Sequence, residues 1–176
     1  MLTTTRAGLL RAGATLGMVA LACPPAFAAT RMAAGDVVLL NDAVESERAA
    51  IKAYGTGIAS GYLSHSVTGV LNEFLNDHTA HLGALMNALS QAGRVPSDET
   101  APLDVPPLHA EADVLNFAYT IERTAAAKYL DQIPQCSDRD LAKTIASILA
   151  VDATHVALLA EALLKNPAYP TGFITT

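Results

Sequence analysis

Apolar residues recur three or four positions apart in four stretches of the chain, which is the spacing of one face of an α-helix. The stretches predict helices over about residues 36–60, 66–91, 110–131 and 137–164. Residues 94–108 contain four prolines and no periodicity, so they predict a long ordered crossover between the second and third helices. The chain therefore predicts one all-α domain of four helices.

Details at the helix ends sharpen this picture. Gly93 stands where a helix-ending glycine is expected, and Ser137 with Asp140 resembles a capping box that opens the fourth helix. Glu45 and Arg48 fall off the apolar stripe of the first helix and are expected to face solvent. Cys136 lies in a predicted turn, and we interpret it as an incidental rather than a catalytic residue.

Polar residues interrupt each apolar stripe near its middle. A polar side chain buried among apolar ones is costly unless the fold satisfies it, so these residues are expected to meet one another in the interior. The six inward polar residues are Glu47, His78, His81, Glu122, Asp152 and His155.

An internal repeat relates the two halves of the chain. Residues 40–54, LNDAVESERAAIKAY, match residues 115–129, LNFAYTIERTAAAKY, at Leu, Asn, Ala, Glu-Arg, Ala and Tyr. The second and fourth helices align with an offset one residue shorter, which pairs His78 with Asp152 and His81 with His155. The chain is interpreted as two related helical hairpins.

The inward polar residues have the types and the spacing of metal ligands. His78 and His81, like Asp152 and His155, are three residues apart and therefore share a helix face. Burying three carboxylates without a cation costs several kcal/mol for each one. A structural salt-bridge cluster would need arginine or lysine on the stripes, and the stripes contain neither. The pattern therefore favours a metal site, as in four-helix bundles with dinuclear centres.

The same segments resemble a known family. LNDAVESERAAIKAY with LNDHTAHLGAL, and LNFAYTIERTAAAKY with VDATHVALL, are similar to the ferritin-like superfamily, and more narrowly to secreted bacterial ferritin-like domain proteins, some called desiccation-related. The resemblance covers about residues 36–165 and implies an antiparallel four-helix bundle. It also implies two iron or manganese ions that react with oxygen or peroxide in oxidases, peroxidases, catalases or iron stores. By motif, the ligands carried over are Glu47, His81, Glu122, Asp152 and His155.

Two positions depart from the family pattern. His78 stands where the pattern has glutamate, and Asp152 is shorter than the usual glutamate. The ligand set then has three carboxylates and three imidazoles, which favours divalent ions that accept nitrogen: iron or manganese first, with zinc as a further candidate. Asp77 could replace the missing carboxylate, although a solvated flank is the preferred interpretation. Tyr54 and Tyr129 either support the ligands or, as preferred, pack in the core with satisfied hydroxyls.

The N-terminal segment has the features of a secretory signal peptide. Arg6 and Arg11 precede an apolar run over residues 12–22, and residues 24–28 provide a small-residue cleavage site. We therefore predict a signal peptide over residues 1–28, a domain over residues 29–176, and a periplasmic or secreted location in a bacterium. A buried N-terminal helix is the alternative. The apolar run over residues 12–22 is too short to span a membrane. After its removal, no membrane span is expected in the rest of the chain.

Charge and composition narrow the range of partners. Removal of residues 1–28 takes away two arginines and no acid, so the formal net charge falls from −6 to −8. This charge argues against nucleic acid or an anionic membrane as a partner. Cleavage also leaves Cys136 as the only cysteine, so no internal disulfide is expected. The sequence leaves open whether the protein forms a homodimer.

Two classes of function remain at this point. One is an exported enzyme that uses bound iron or manganese with oxygen or peroxide. The other is a non-catalytic protein, either a metal-sequestering protein or a stress-related scaffold of the cell envelope. His78 bears on this choice, because the altered ligand could have removed the redox chemistry.

Overall fold

The computed structural model describes residues 32–165 and contains four long helices in that range, with no strand there. The helices are α1 (Ala34–Ala59), α2 (His65–Gln91), α3 (Glu111–Gln132) and α4 (Arg139–Ala162), and a 3₁₀ turn over Ile133–Gln135 follows α3. The all-α four-helix bundle predicted from the apolar periodicity is confirmed.

The helices pack as two hairpins joined by the long crossover. α1 contacts α2 extensively and α3 contacts α4 extensively, whereas α1 packs less against α3, and α2 packs still less against α4. The order of contacts shows that α1 and α3 run antiparallel, because Tyr54 at the end of α1 meets Glu122 while Glu47 meets Tyr129 near the end of α3. The repeat itself stays an interpretation of the sequence.

Two apolar layers fill the bundle on either side of its middle. The first layer joins the start of α1 to the end of α2 and the start of α4, and contains Leu40, Leu85, Leu89 and Ile145. The second joins the end of α1 to the starts of α2 and α3, and contains Leu71, Phe74, Val114 and Leu115. The inward polar residues lie between the layers, shielded from water at both ends of the bundle.

Gly57 allows close approach of α1 to α3 in the second layer. A Cβ atom at this position would lie 2.8 Å from Cγ1 of Val114, so a larger residue would force the helices apart. Gly93 has a φ of +68°, and the backbone N–H of Arg94 donates to the carbonyl of Leu89 behind it. The predicted glycine at the end of α2 therefore ends that helix, in the left-handed conformation that glycine favours.

The crossover binds the outer face of α1, which corrects the expectation that Glu45 and Arg48 are solvated. The hydroxyl of Ser97 donates to Glu45 at 2.7 Å, and Arg48 donates to the carbonyl of Ser97 at 3.1 Å. The backbone N–H of Ala101 donates to the carbonyl of Glu45 at 3.0 Å. A segment without periodicity leaves no sequence signal for the helix it will cover.

The cap of α4 also differs from its prediction. Asp138, rather than Ser137, accepts hydrogen bonds from the backbone N–H groups of Asp140 at 2.7 Å and Leu141 at 3.1 Å. The backbone N–H of Ser137 instead donates to Asp36 of α1 at 2.8 Å. The capping-box prediction was wrong, because the residue that caps α4 is Asp138, one position after Ser137.

Several expectations fall outside what the structure describes. The predicted signal peptide over residues 1–28 and the C-terminal residues 166–176 lie beyond the described residues. α4 is long and apolar enough to cross a membrane by length and composition, a test that core helices of soluble proteins also pass. The absence of a membrane span in the mature chain therefore stays a prediction.

A candidate metal centre in the middle of the bundle

All six inward polar residues meet in one cluster at mid-height. They form two groups that could hold a metal ion, and in each group one ligand atom per residue lies within 4.8 Å of the others. One group is His78, Glu122, Asp152 and His155, and the other is Glu47, His78 and His81. The structure thus brings together every predicted ligand, and that they bind metal stays a prediction.

His78 belongs to both groups and lies between the two glutamates. Its Nδ1 is 2.8 Å from Glu47, and its Nε2 is 2.9 Å from Glu122. Burial alone would lower the pKa of His78, but the hydrogen bonds and negative charges of Glu122 and Glu47 raise it to about 10. Without metal, His78 is therefore an imidazolium at neutral pH.

This arrangement corrects one step of the sequence argument. The stripes contain no arginine or lysine, yet His78 itself supplies a positive charge to two of the three carboxylates. Burial alone would raise the pKa of Glu122, but hydrogen bonds from His155 and His78 lower it. Glu47 likewise has a lowered pKa, since His78 and His81 outweigh its burial. Part of the cluster is neutralised without a metal.

Asp152 shows the opposite condition. It is fully buried, and neither of its carboxylate oxygens has a hydrogen-bond partner among the described residues. Nδ1 of His81 lies 3.8 Å from Oδ1 of Asp152, and that nitrogen also has no hydrogen-bond partner among the described residues. Burial, together with the negative charge of Glu122, raises the pKa of Asp152 to about 9. Asp152 is therefore the carboxyl of the cluster whose ionised form most needs a bound cation.

Two tyrosines connect the glutamates across the hairpins. The hydroxyl of Tyr54, on α1, donates to Glu122 on α3, and the hydroxyl of Tyr129, on α3, donates to Glu47 on α1. Burial and the adjacent carboxylate raise the pKa of each tyrosine well above its ordinary value. The hydroxyls of both tyrosines have hydrogen-bond partners, as the preferred interpretation of the sequence expected. Because those partners are candidate ligands, the tyrosines also orient them, which was the less favoured interpretation.

His155 is held from three sides. Its Nδ1 is 3.3 Å from Glu122, and its Nε2 is 3.2 Å from the carboxylate of Asp77. The ring of Phe74 stacks on that of His155 at 3.8 Å between centroids. Asp77 therefore does not replace the missing carboxylate in either ligand group, and it is not a purely solvated flank. No periodicity argument could have paired Asp77 or Phe74 with a residue 78 or 81 positions away.

A groove lies on the surface of the bundle, away from the cluster. It is a space of about 580 Å³ between the crossover and the outer faces of α1 and α3, lined by residues such as Ser46, Phe117 and Lys128. None of the six clustered residues lines it, so the cluster is an interior feature that the groove does not reach.

Comparison with known proteins agrees with this architecture. The sequence model of the ferritin-like domain matches residues 35–165, which include all four helices and all six clustered residues. The chain belongs to the ferritin-like family. No curated protein matches this ferritin-like chain.

Solved structures share the fold. A conserved hypothetical protein from Mycobacterium tuberculosis superposes with a TM-score of 0.66 at 21% identity, covering 73% of this chain and 97% of its own. A ferritin-like, diiron-carboxylate protein from Bacillus anthracis gives a TM-score of 0.63 at 18% identity, covering 75% and 99%. Identities this low show the ferritin-like fold and do not transfer a metal or an activity.

The donor set of the cluster fits a divalent cation. Four buried polar atoms there have no hydrogen-bond partner within residues 32–165: Oδ1 and Oδ2 of Asp152, Oε2 of Glu122 and Nδ1 of His81. Carboxylate oxygen and imidazole nitrogen are ligands that iron, manganese and zinc accept. Buried polar groups normally have partners, and these atoms are of the types and in the positions that a bound cation would pair.

Proposed function

We propose that this ferritin-like protein is exported to the periplasm or beyond and binds divalent metal in the mid-bundle cluster. Iron and manganese are the favoured ions, zinc is a further candidate, and two ions are the expected number. The metal would serve redox chemistry with oxygen or peroxide, or metal handling. The observation that carries the proposal is Asp152, a fully buried carboxylate with both oxygens unpaired beside two histidines.

The chain's own residues divide the work of such a site. Glu122, Asp152, His155 and His78 would hold one ion, and Glu47 and His81 form the second group with the same His78. Tyr54 and Tyr129 orient the two glutamates. The apolar layers on both sides exclude bulk water, which strengthens charge interactions inside the cluster. Bound iron or manganese would supply one-electron chemistry toward oxygen or peroxide.

A non-catalytic scaffold is the second candidate, and His78 is the observation that favours it. Both nitrogens of His78 are hydrogen bonded to glutamates, so the two best-paired carboxylates already have a counter-charge. A bundle that is stable with this internal ion pair would need no metal to fold. The two candidates therefore differ in how much stability depends on metal.

Metal content and metal-dependent stability test the proposal together. Protein purified from its native cell fraction should contain iron, manganese or zinc by elemental analysis. Chelation should lower its melting temperature by about 5–10 °C, because a ligand that binds only the folded state stabilises it by about 2.7 kcal/mol at 100 times Kd. Recovery of the chain from the cytoplasmic fraction, with the N-terminal residues intact, would contradict export.

Variants of the cluster assign the metal effect to its residues. Glu122→Ala and His155→Ala should abolish the difference between metal-loaded and chelated protein, whereas Glu73→Ala, an exposed residue of α2, should retain it. Equal melting curves with and without chelator for the parent chain would contradict metal binding and favour the scaffold.

A further inference from the structure

The cluster is closed to solvent except on one side. The side chains of Glu47, His78, Glu122 and Asp152 are at most 1% exposed, and that of His155 is 4% exposed. His81 is 12% exposed, and Asp77, which is hydrogen bonded to His155, is 50% exposed. An ion that reaches the cluster must cross this boundary somewhere, and these two residues mark its thinnest part.

Asp77 and His81 belong to the same seam between two helices. They are four residues apart on α2, so they lie one helical turn apart on the same face. Asp77 meets His155 of α4, and His81 lies 3.8 Å from Asp152 of α4 and 3.7 Å from Glu47 of α1. α2 and α4 are also less closely packed than α1 and α2, α3 and α4, or α1 and α3.

The seam is closed above and below this point. Toward the start of α2, the ring of Phe74 stacks on His155. Toward its end, Leu85 is fully buried in the first apolar layer. Phe74 and Leu85 are about three helical turns apart on α2, and the carboxylate of Asp77 lies between them.

We propose that divalent cations enter and leave the cluster through the α2–α4 seam, with Asp77 as the carboxylate that first binds them. This inference rests on the proposed metal site. A half-exposed negative charge at the mouth of a buried anionic cluster raises the local cation concentration and can speed association by 10- to 1,000-fold. Asp77 then passes the ion inward to His155 and His81, the two clustered histidines within reach of the mouth.

The association rate of Mn²⁺ tests this role. The chain has no Trp, and Tyr54 and Tyr129 contact the cluster glutamates, so stopped-flow tyrosine fluorescence can follow binding. Asp77→Asn removes the charge and keeps an oxygen that can accept from His155. We expect it to slow Mn²⁺ association about tenfold at low ionic strength, with the difference shrinking as salt screens the charge.

Glu73→Gln is the matched control, since it removes one carboxylate from an exposed position one turn earlier on α2. It should change the association rate less than twofold. Equal rates for Asp77→Asn and Glu73→Gln would overturn the access route while leaving the metal site in place. An unchanged association rate with faster release would also overturn it, because Asp77 would then only position His155. Failure of the parent chain to bind Mn²⁺, Fe²⁺ or Zn²⁺ would overturn the metal site itself.

Discussion

His78 and Asp152 occupy positions that the sequence alignment pairs, yet their surroundings are opposite. Both nitrogens of His78 are hydrogen bonded to glutamates, at 2.8 and 2.9 Å. Both oxygens of Asp152 are buried, and neither has a hydrogen-bond partner in the described part of the chain. Burial alone would lower the pKa of His78, but its glutamate partners raise this pKa to about 10. For Asp152, burial and the negative charge of Glu122 both raise the pKa, to about 9. In the metal-free chain one side is a charged pair at neutral pH, and the other is a neutral acid.

The difference shows what a single ligand change does to a buried cluster. With an imidazole in place of a carboxylate at position 78, the glutamates of α1 and α3 acquire an internal cation. The demand for an external cation then shifts to the side of α4, where neither oxygen of Asp152 has a hydrogen-bond partner among the described residues. The proposed metal site and an internal ion pair therefore lie in one cluster, and stability measurements can separate their contributions.

The largest expected effect comes from converting His78 into the family's carboxylate. In chelator, His78→Glu should lower the free energy of unfolding by about 3–5 kcal/mol, because it leaves Glu47 and Glu122 buried without their cation. Added Fe²⁺ or Mn²⁺ should restore much of this loss and bind with a stronger preference for iron than in the parent. Urea unfolding with and without metal measures both effects.

His65→Glu serves as the control for that change, since His65 is an exposed histidine at the start of the same helix. Its effect should stay within about 0.5 kcal/mol, as is usual for surface substitutions. If metal-free His78→Glu were as stable as the parent, the internal ion pair would not contribute to folding, and the contrast with Asp152 would fail.

The opposite effect is expected at Asp152. A carboxyl whose folded-state pKa is raised above its ordinary value destabilises the fold progressively as pH rises from about 4 toward 9. Asp152→Asn cannot ionise, so at pH 7 it should stabilise the metal-free chain by about 1–2 kcal/mol. The gain should shrink at pH 4, and the variant should lose the stabilisation by metal.

Unfolding curves at pH 4, 5.5 and 7 in chelator measure this trend. Asp98→Asn, in the exposed part of the crossover, should show no comparable pH-dependent gain. A metal-free Asp152→Asn protein that is less stable than the parent at pH 7 would mean that the carboxylate has a partner in solution, and would remove the asymmetry between the two sides.

The smallest effects are expected from the tyrosines that orient the glutamates. Tyr54→Phe and Tyr129→Phe each remove one hydroxyl donor and should each cost about 1 kcal/mol of stability. Their metal affinity should fall about tenfold or more, as for other groups that orient ligands. Tyr62→Phe, at an exposed tyrosine, should change neither quantity, and calorimetric titration with Mn²⁺ compares the three. Unchanged affinity in both buried variants would assign the tyrosines to packing alone.

Much of the site could be predicted because helical periodicity alone places residues on a face. The spacing of apolar residues around Glu47, Glu122 and Asp152 required each of them to point inward, and the bundle did bring them together with three histidines. The spacing could not show which inward groups would pair. That depends on distances of less than 4 Å between different helices, such as those from His78 to Glu47 and Glu122.

The sequence by itself determined the four helices, their inward faces and the six residues of the cluster, because these follow from local periodicity and composition. Only the tertiary structure decided that His78 neutralises two glutamates, that Asp152 stays unpaired, and that Asp77 stands half exposed against His155. The physical reason is that pairing and solvent exposure are set by the packing of helices distant in the chain. A difference of an ångström or two there separates a hydrogen bond from an unpaired buried atom.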